Sequence, residues 1–217
     1  MRKKTPQLWI PALLGFLLCA FLPVNAFASA EIAPVPESAD IRYEMDAGTD
    51  YLSVMQELCM SGDTETGESM ELLRNRKIEL LNMEEPKIAF QDLYLLSKLI
   101  ASEAGSAWLS VEWKMAVGEV LLNRVASLEF PDTIEGCIFA PGQYYNVITG
   151  AFYGILPDYD SVIAATRLLY GERVLKDSSV VFQANFTQGE VFTVLYDNLL
   201  GATYFCKSFH PELYHTN

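Results

Sequence analysis

Phe90-Gln91-Asp92-Leu93-Tyr94-Leu95-Leu96-Ser97-Lys98-Leu99-Ile100-Ala101-Ser102-Glu103-Ala104-Gly105 is the stretch from which the fold is read. Leu93, Leu96, Leu99 and Ile100 recur at helical spacing, so the segment is a helix from about Phe90 to Ala104 with one apolar face. Glu103 follows Ile100 by three residues and Leu99 by four, which sets a carboxylate on that apolar face at the helix end. A carboxylate placed there loses water, its charged form is disfavoured and its pKa rises. A carboxylic acid still protonated near neutral pH can act as a general acid, worth roughly 10²–10⁴ in rate. The competing reading is a buried ion pair, with Arg124 on the next helix as the partner.

Working toward the C-terminus, Trp113, Val117, Val120, Leu121 and Val125 form the stripe of a second helix from about Ser110 to Ser127. Arg124 shares that stripe, so its expected task is to tie two helices together. Glu119 falls on a flank with Glu112, Met115 and Asn123, and a surface or rim carboxylate is expected there. Pro131 breaks the chain, Asp132 or Thr133 can cap a short helix through Phe139, and Pro141-Gly142 turns the chain again. A further helix spans about Ser161 to Glu172, and Val180-Val181-Phe182 and Thr203-Tyr204-Phe205 read as short strands. The expected class for residues 86–217 is α+β, predominantly helical, with a small β element.

Aromatic and amide side chains gather in Gln143-Tyr144-Tyr145-Asn146, Phe152-Tyr153, Phe182-Gln183 and Tyr204-Phe205. Ring faces stack on sugars, and amides supply donors and acceptors for hydroxyls. Gln143, Tyr144, Tyr145, Gln183, Tyr204 and Phe205 are therefore the expected substrate-binding residues, although core filling is the alternative for any one of them. The loop 143–146, after its Pro-Gly turn, is expected at the surface.

Toward the N-terminus the grammar changes. Residues 31–85 hold 14 acids against four bases and open with Ala33-Pro34-Val35-Pro36, an extended linker. Two helical pieces follow, near Tyr51–Met60 and Glu68–Leu81, the second with Leu72, Leu73, Ile78, Leu80 and Leu81 as its apolar residues. This segment is expected to pack on the main domain or to act as a spacer. Residues 1–30 join a basic tip (Arg2, Lys3, Lys4) to an apolar stretch and to Ala26-Phe27-Ala28 and Ala28-Ser29-Ala30. That is the pattern of a cleaved secretory signal, and Pro11 and Pro23 disfavour a permanent membrane span. The protein is expected to be secreted, acting at the cell wall.

The 217-residue chain has 15 Lys plus Arg against 28 Asp plus Glu, a formal net charge of −13. Such a field repels phosphate backbones, so no nucleic-acid partner is expected. Two histidines and four cysteines, with neither CxxC nor HExxH, supply few ligands for zinc; no metal and no cofactor is expected. No G-x-S-x-G is present, and His210 and His215 read as a solvated tail. After loss of Cys19 with the signal, Cys59, Cys137 and Cys206 remain, either as three buried thiols or with Cys137 and Cys206 joined.

The ordered series Leu99-Ile100-Ala101-Ser102-Glu103-Ala104-Gly105, Ala116-Val117-Gly118-Glu119-Val120-Leu121-Leu122-Asn123-Arg124-Val125, Phe130-Pro131-Asp132-Thr133-Ile134 and Gly142-Gln143-Tyr144 resembles the SleB-like cell wall hydrolases of spore-forming Gram-positive bacteria, over about residues 90–207. The resemblance implies a reduced lysozyme-like fold. It also implies that Glu103 is the catalytic acid in cleavage of the β-1,4 bond between N-acetylmuramic acid and N-acetylglucosamine in peptidoglycan strands. The best-studied members are lytic transglycosylases, so 1,6-anhydro products from a single catalytic acid are expected. An N-acetylmuramoyl-L-alanine amidase and a non-catalytic wall-binding module are the alternatives. Two motifs depart from the family pattern. Ser106-Ala107-Trp108 replaces a small residue and a second acid, and Gln143-Tyr144-Tyr145 stands for Gln-Phe-Ser. If the reaction were hydrolytic, Asp158 and Asp160 are the nominated partner acids.

Overall fold

The helix that opens the sequence reading, Phe90–Ala104 (α3), lies at the centre of the molecule and is buried on all sides from Leu95 to Ile100. The structure is a computed structural model and describes residues 48–214. The expected signal segment, the Pro-containing linker and His215 lie outside the described residues.

Two helices precede α3. Tyr51–Ser61 (α1) is capped by the Asp50 side chain, and Thr64–Leu81 (α2) by that of Asp63. Both belong to the same compact unit as everything that follows, so the boundary expected at about residue 86 lies inside one unit. Met55 and Cys59 of α1 are fully buried in the core shared with Phe90, Leu93 and Leu96. Gly67 brings α2 against α3 so closely that a Cβ there would stand 2.1 Å from the Phe90 ring. The apolar stripe expected on α2 is corrected in part. Leu72, Leu80 and Leu81 face solvent, whereas Gly67, Arg74 and Ile78 are buried. Arg74 explains the rotation: its guanidinium donates to the Pro86 carbonyl, Glu85 and the Tyr170 hydroxyl, and so pulls the polar side of the helix inward.

Val111–Val125 (α4), capped by Ser110, crosses α3. Gly118 permits the crossing, since a Cβ there would meet Leu168 at 2.6 Å and Ile100 at 2.8 Å. Ile134–Phe139 (α5) is capped by Thr133, one of the two expected caps. Tyr145–Ile148 (α6) is a single turn, and Tyr159–Leu169 (α7) packs on α3 and α4. The nearly complete burial of α4 between Lys114 and Leu121 follows from this central position.

The chain ends in a three-stranded antiparallel sheet of Val180–Ala184 (β1), Val191–Asp197 (β2) and Gly201–Lys207 (β3), in the order β1-β3-β2. Strand β2 escapes the sequence reading because neither of its faces is fully buried, so it carries no core-facing apolar row. Phe205 and Val180 pack with Ala104, Val117 and Val120 in a second cluster beneath the end of α3. The observed class is mostly helical with a small sheet, as expected from the sequence. Cys59, Cys137 and Cys206 are free and buried, and burial pushes the Cys59 thiol up to about 12. Among the described residues no helix is long and apolar enough to cross a membrane.

Candidate active site

Glu103 occupies the last turn of α3, where the apolar stripe emerges from the core. Its side chain reaches solvent, yet the surrounding walls are protein, as in the floor of a cleft. Those walls raise its pKa by desolvation; the Ser102 hydroxyl and the positive charge of Arg124 oppose the rise and are outweighed. The group at the helix end is thus desolvated by its neighbours and open to a ligand.

The competing ion pair does not form. Among the described residues Glu103 has no cationic group within salt-bridge distance, and Arg124 is committed elsewhere. Its Nε donates to the Val181 carbonyl at 2.6 Å and its Nη1 to the Tyr144 hydroxyl at 3.1 Å. Its guanidinium also lies over the rings of Phe130 and Tyr144, 5.3 Å from each centroid. Arg124 therefore joins α4 to β1 and to the segment before α6.

The cleft over Glu103 has a volume of about 150 Å³ and is lined by Trp113 and Val117 of α4, Gln183 and Ala184 of β1, Asn185, and Thr203 of β3. Glu103 is the one acid among these lining residues. Gln183 lines the cleft, and its side-chain oxygen is buried without a protein hydrogen-bond partner. Behind the acid, Asn146 donates to the Ser102 carbonyl at 3.2 Å and to its hydroxyl oxygen at 2.8 Å. With its oxygen held in this way, the Ser102 hydroxyl points its proton toward Glu103 over a long 3.5 Å contact.

The sequence-derived binding set divides. Gln183 lines the cleft. Gln143 and Tyr145 are exposed, and Tyr204 is half-buried on β3 next to the cleft residue Thr203. Tyr144 and Phe205 are corrected to core positions. Tyr144 is buried under Arg124 with its hydroxyl pushed up to about 12 by burial, and Phe205 is fully buried beneath the sheet. The chain after Pro141-Gly142 turns inward at Tyr144 because Arg124 needs a partner there. Asn146, in the same cluster, is the residue that reaches the acid's turn, and the amide-rich composition of the loop was its only signal.

Glu119 is corrected from a rim carboxylate to a buried one. It accepts the main-chain N–H groups of Val174 at 2.6 Å, Leu175 at 2.9 Å and Lys176 at 2.9 Å. Lys176 takes a left-handed φ of 58°, which lets the three N–H groups converge. Asn123 holds the next stretch through the carbonyls of Asp177 and Val180. Asp158 is likewise committed, capping α7 and pairing with the fully buried Lys114 at 2.6 Å. Burial alone would raise its pKa; the Lys114 and Ser161 contacts bring it below the usual value. Neither Asp158 nor Asp160 lines the Glu103 cleft. Among the described residues no group of three or more His, Cys, Asp or Glu side chains could hold a metal ion.

Fold and site together define a predominantly helical α+β protein with a lone, unpaired acid in a cleft between a helix end and a small sheet. Residues 110–214 match the family model described as Cell Wall Hydrolase. The matched span begins after Glu103, so it does not of itself assign that residue a role. Two curated spore cortex-lytic enzymes of Bacillus cereus are 36% identical over 63 residues, 29% of this chain and 23% of theirs. The chain thus aligns with about a quarter of the length of those relatives. Among solved structures, the catalytic domain of the Bacillus cereus SleB protein aligns over 57% of this chain and 94% of its own, with 24% identity and a TM-score of 0.43. The catalytic domain of the germination-specific lytic transglycosylase SleB from Bacillus anthracis aligns over 57% and 99%, with 23% identity and a TM-score of 0.45.

Proposed function

We propose that this protein is an exported lytic transglycosylase that cleaves the β-1,4 bond between N-acetylmuramic acid and N-acetylglucosamine in peptidoglycan, with Glu103 as its single catalytic acid. The observation that carries this reading is an unpaired carboxyl, its pKa raised by desolvation, as the one acid lining a cleft. The family match over residues 110–214 supports the substrate class.

In this mechanism protonated Glu103 gives its proton to the bridging oxygen as the bond to the muramic sugar breaks through an oxocarbenium-like state. The carboxylate so formed takes the proton of the muramic 6-hydroxyl, whose oxygen closes on the anomeric carbon to form a 1,6-anhydro ring. The acid is regenerated, and no water is consumed. A hydrolase would need a second carboxylate to act as nucleophile or to activate water. The nominated partners do not line the cleft, and Glu119 spends both its oxygens on main-chain N–H groups. Gln183 is proposed to accept a sugar N–H or O–H. Trp113 offers a ring face at the same cleft.

The test is mass spectrometry of the products from purified sacculi treated with the protein and with its Glu103→Gln variant. Muropeptides lighter by one water that resist borohydride reduction, absent with the variant, are the expected result. Reducible muramic ends would make the enzyme a hydrolase. Free stem peptides would make it an amidase, and absence of any product with the wild-type protein would leave a wall-binding module.

A further inference from the structure

A second cavity adjoins the first. It has a volume of about 360 Å³ and its apolar wall is formed by Trp113, Ala116, Val174, Leu175, Phe192 and Leu195. Trp113 lines both cavities, and Leu195 of the second stands directly across the β2–β3 ladder from Thr203 of the first. The two therefore form one continuous surface running from Glu103 to strand β2.

The chemistry of the second cavity differs from that of the first. Its polar groups, from Ser110, Glu112 and Thr193, are few beside the apolar wall, so it offers little to the hydroxyls of a sugar. It does offer a strand. β2 is an edge of the sheet, and a bulge between Val191 and Thr193 takes Phe192 out of the ladder with β3. Main-chain groups at a sheet edge beside an apolar pocket are suited to an extended peptide with small alkyl side chains.

We propose that this second cavity seats the stem peptide attached to the lactyl group of the muramic sugar, so that Phe192 and Leu195 are specificity-determining residues. The inference rests on the wall-lytic reading of Glu103. A muramic residue carries its peptide beside the bond to be cleaved, and a sugar held over Glu103 therefore directs that peptide onto a neighbouring surface. The cavity joined through Trp113 is such a surface, of a size at the lower end of ordinary ligand pockets, about 300–1,000 Å³.

The experiment compares kcat/KM on glycan strands bearing peptides with kcat/KM on the same strands stripped by an amidase, for the wild-type protein and for Phe192→Ala. The readout is the rate of formation of 1,6-anhydro ends. The expected preference of the wild type for peptide-bearing strands is roughly tenfold, the low end for apolar pocket contacts, and in Phe192→Ala the ratio falls toward one. Free stem peptide should compete with peptide-bearing strands, a measurement that decides the matter even if the variant does not fold. Equal wild-type rates on the two substrates, an unchanged ratio in a folded Phe192→Ala, or no competition by free peptide would overturn the inference. Failure of the wild type to cleave either substrate would instead overturn the catalytic reading, and the inference with it.

Discussion

Replacing Glu119 separates single-acid chemistry from two-acid chemistry. In the native structure its carboxylate accepts three main-chain N–H groups, those of residues 174–176, inside a nearly closed environment. Glu119→Gln keeps one acceptor oxygen and turns an amide N–H₂ toward donors that have no other partner. With a buried donor left unsatisfied costing about 1–3 kcal/mol, the loss should be about 3 kcal/mol. For a chain of this size that lowers Tm by roughly 6–12 °C. Glu119→Ala, which removes every acceptor, should cost more, about 4 kcal/mol. The segment held by Glu119 leads directly into β1, whose Gln183 and Ala184 wall the Glu103 cleft, so activity should fall in proportion to the loss of native fold. Thermal unfolding by circular dichroism, together with specific activity at a temperature where both proteins are folded, provides the assay. A Glu119→Gln variant that melts with the wild type and yet loses all lytic activity would refute this reasoning. It would make Glu119 the second acid.

Three further outcomes are expected. Because the folded-state pKa of Glu103 is raised, the residue contributes stability that is present below the ordinary carboxylate range and is lost as pH rises through the raised value. Glu103→Gln should therefore melt no lower than wild type near neutral pH, with the difference closing in acid, while lytic activity falls by at least ~10²; a much lower Tm at neutral pH would return Glu103 to a structural role. Since the Ser102 hydroxyl lowers the Glu103 pKa, Ser102→Ala should move the alkaline limb of the pH–activity profile to higher pH, and a shift the other way would contradict the assignment. Gly67→Ala drives a Cβ into the Phe90 ring and should cost about 2 kcal/mol by overpacking, a fall of roughly 4–8 °C in Tm. An unchanged Tm would show α2 to be a loose appendage.

The most legible parts of the sequence were those where one face of an element meets the core and the rest meets water. Helix α3 runs from Phe90 to Ala104, the bounds read from its leucine spacing. Thr133 caps α5 because its side chain is the natural acceptor for the Gly136 N–H. Periodicity loses its meaning in α4, which is enclosed by α3, α5, α7 and β1 and therefore buries its flank with its stripe. Glu119 and Asn123 look like surface residues in the sequence, but their partners are main-chain groups more than fifty residues away, which no side-chain pattern records. Tyr144 shares this difficulty: its burial depends on Arg124, twenty residues earlier.

These same residues explain why Glu103 stands apart. Along α4, each inward polar group of this set is spent on holding the chain: Glu119 on residues 174–176, Asn123 on Asp177 and Val180, Arg124 on Val181 and Tyr144. Lys114 and Asp158 neutralise one another. A buried polar group without such a partner costs stability, so a fold retains one only where something else requires it. Gln183, which lines the cleft, keeps a buried oxygen without a protein partner, and Glu103, which reaches solvent there, has a single long contact to Ser102. An apolar stripe alone could not distinguish a catalytic acid from a structural ion pair. The commitment of Arg124 to other partners removes the ion pair and leaves Glu103 desolvated and open to a ligand, as the proposed catalytic role requires.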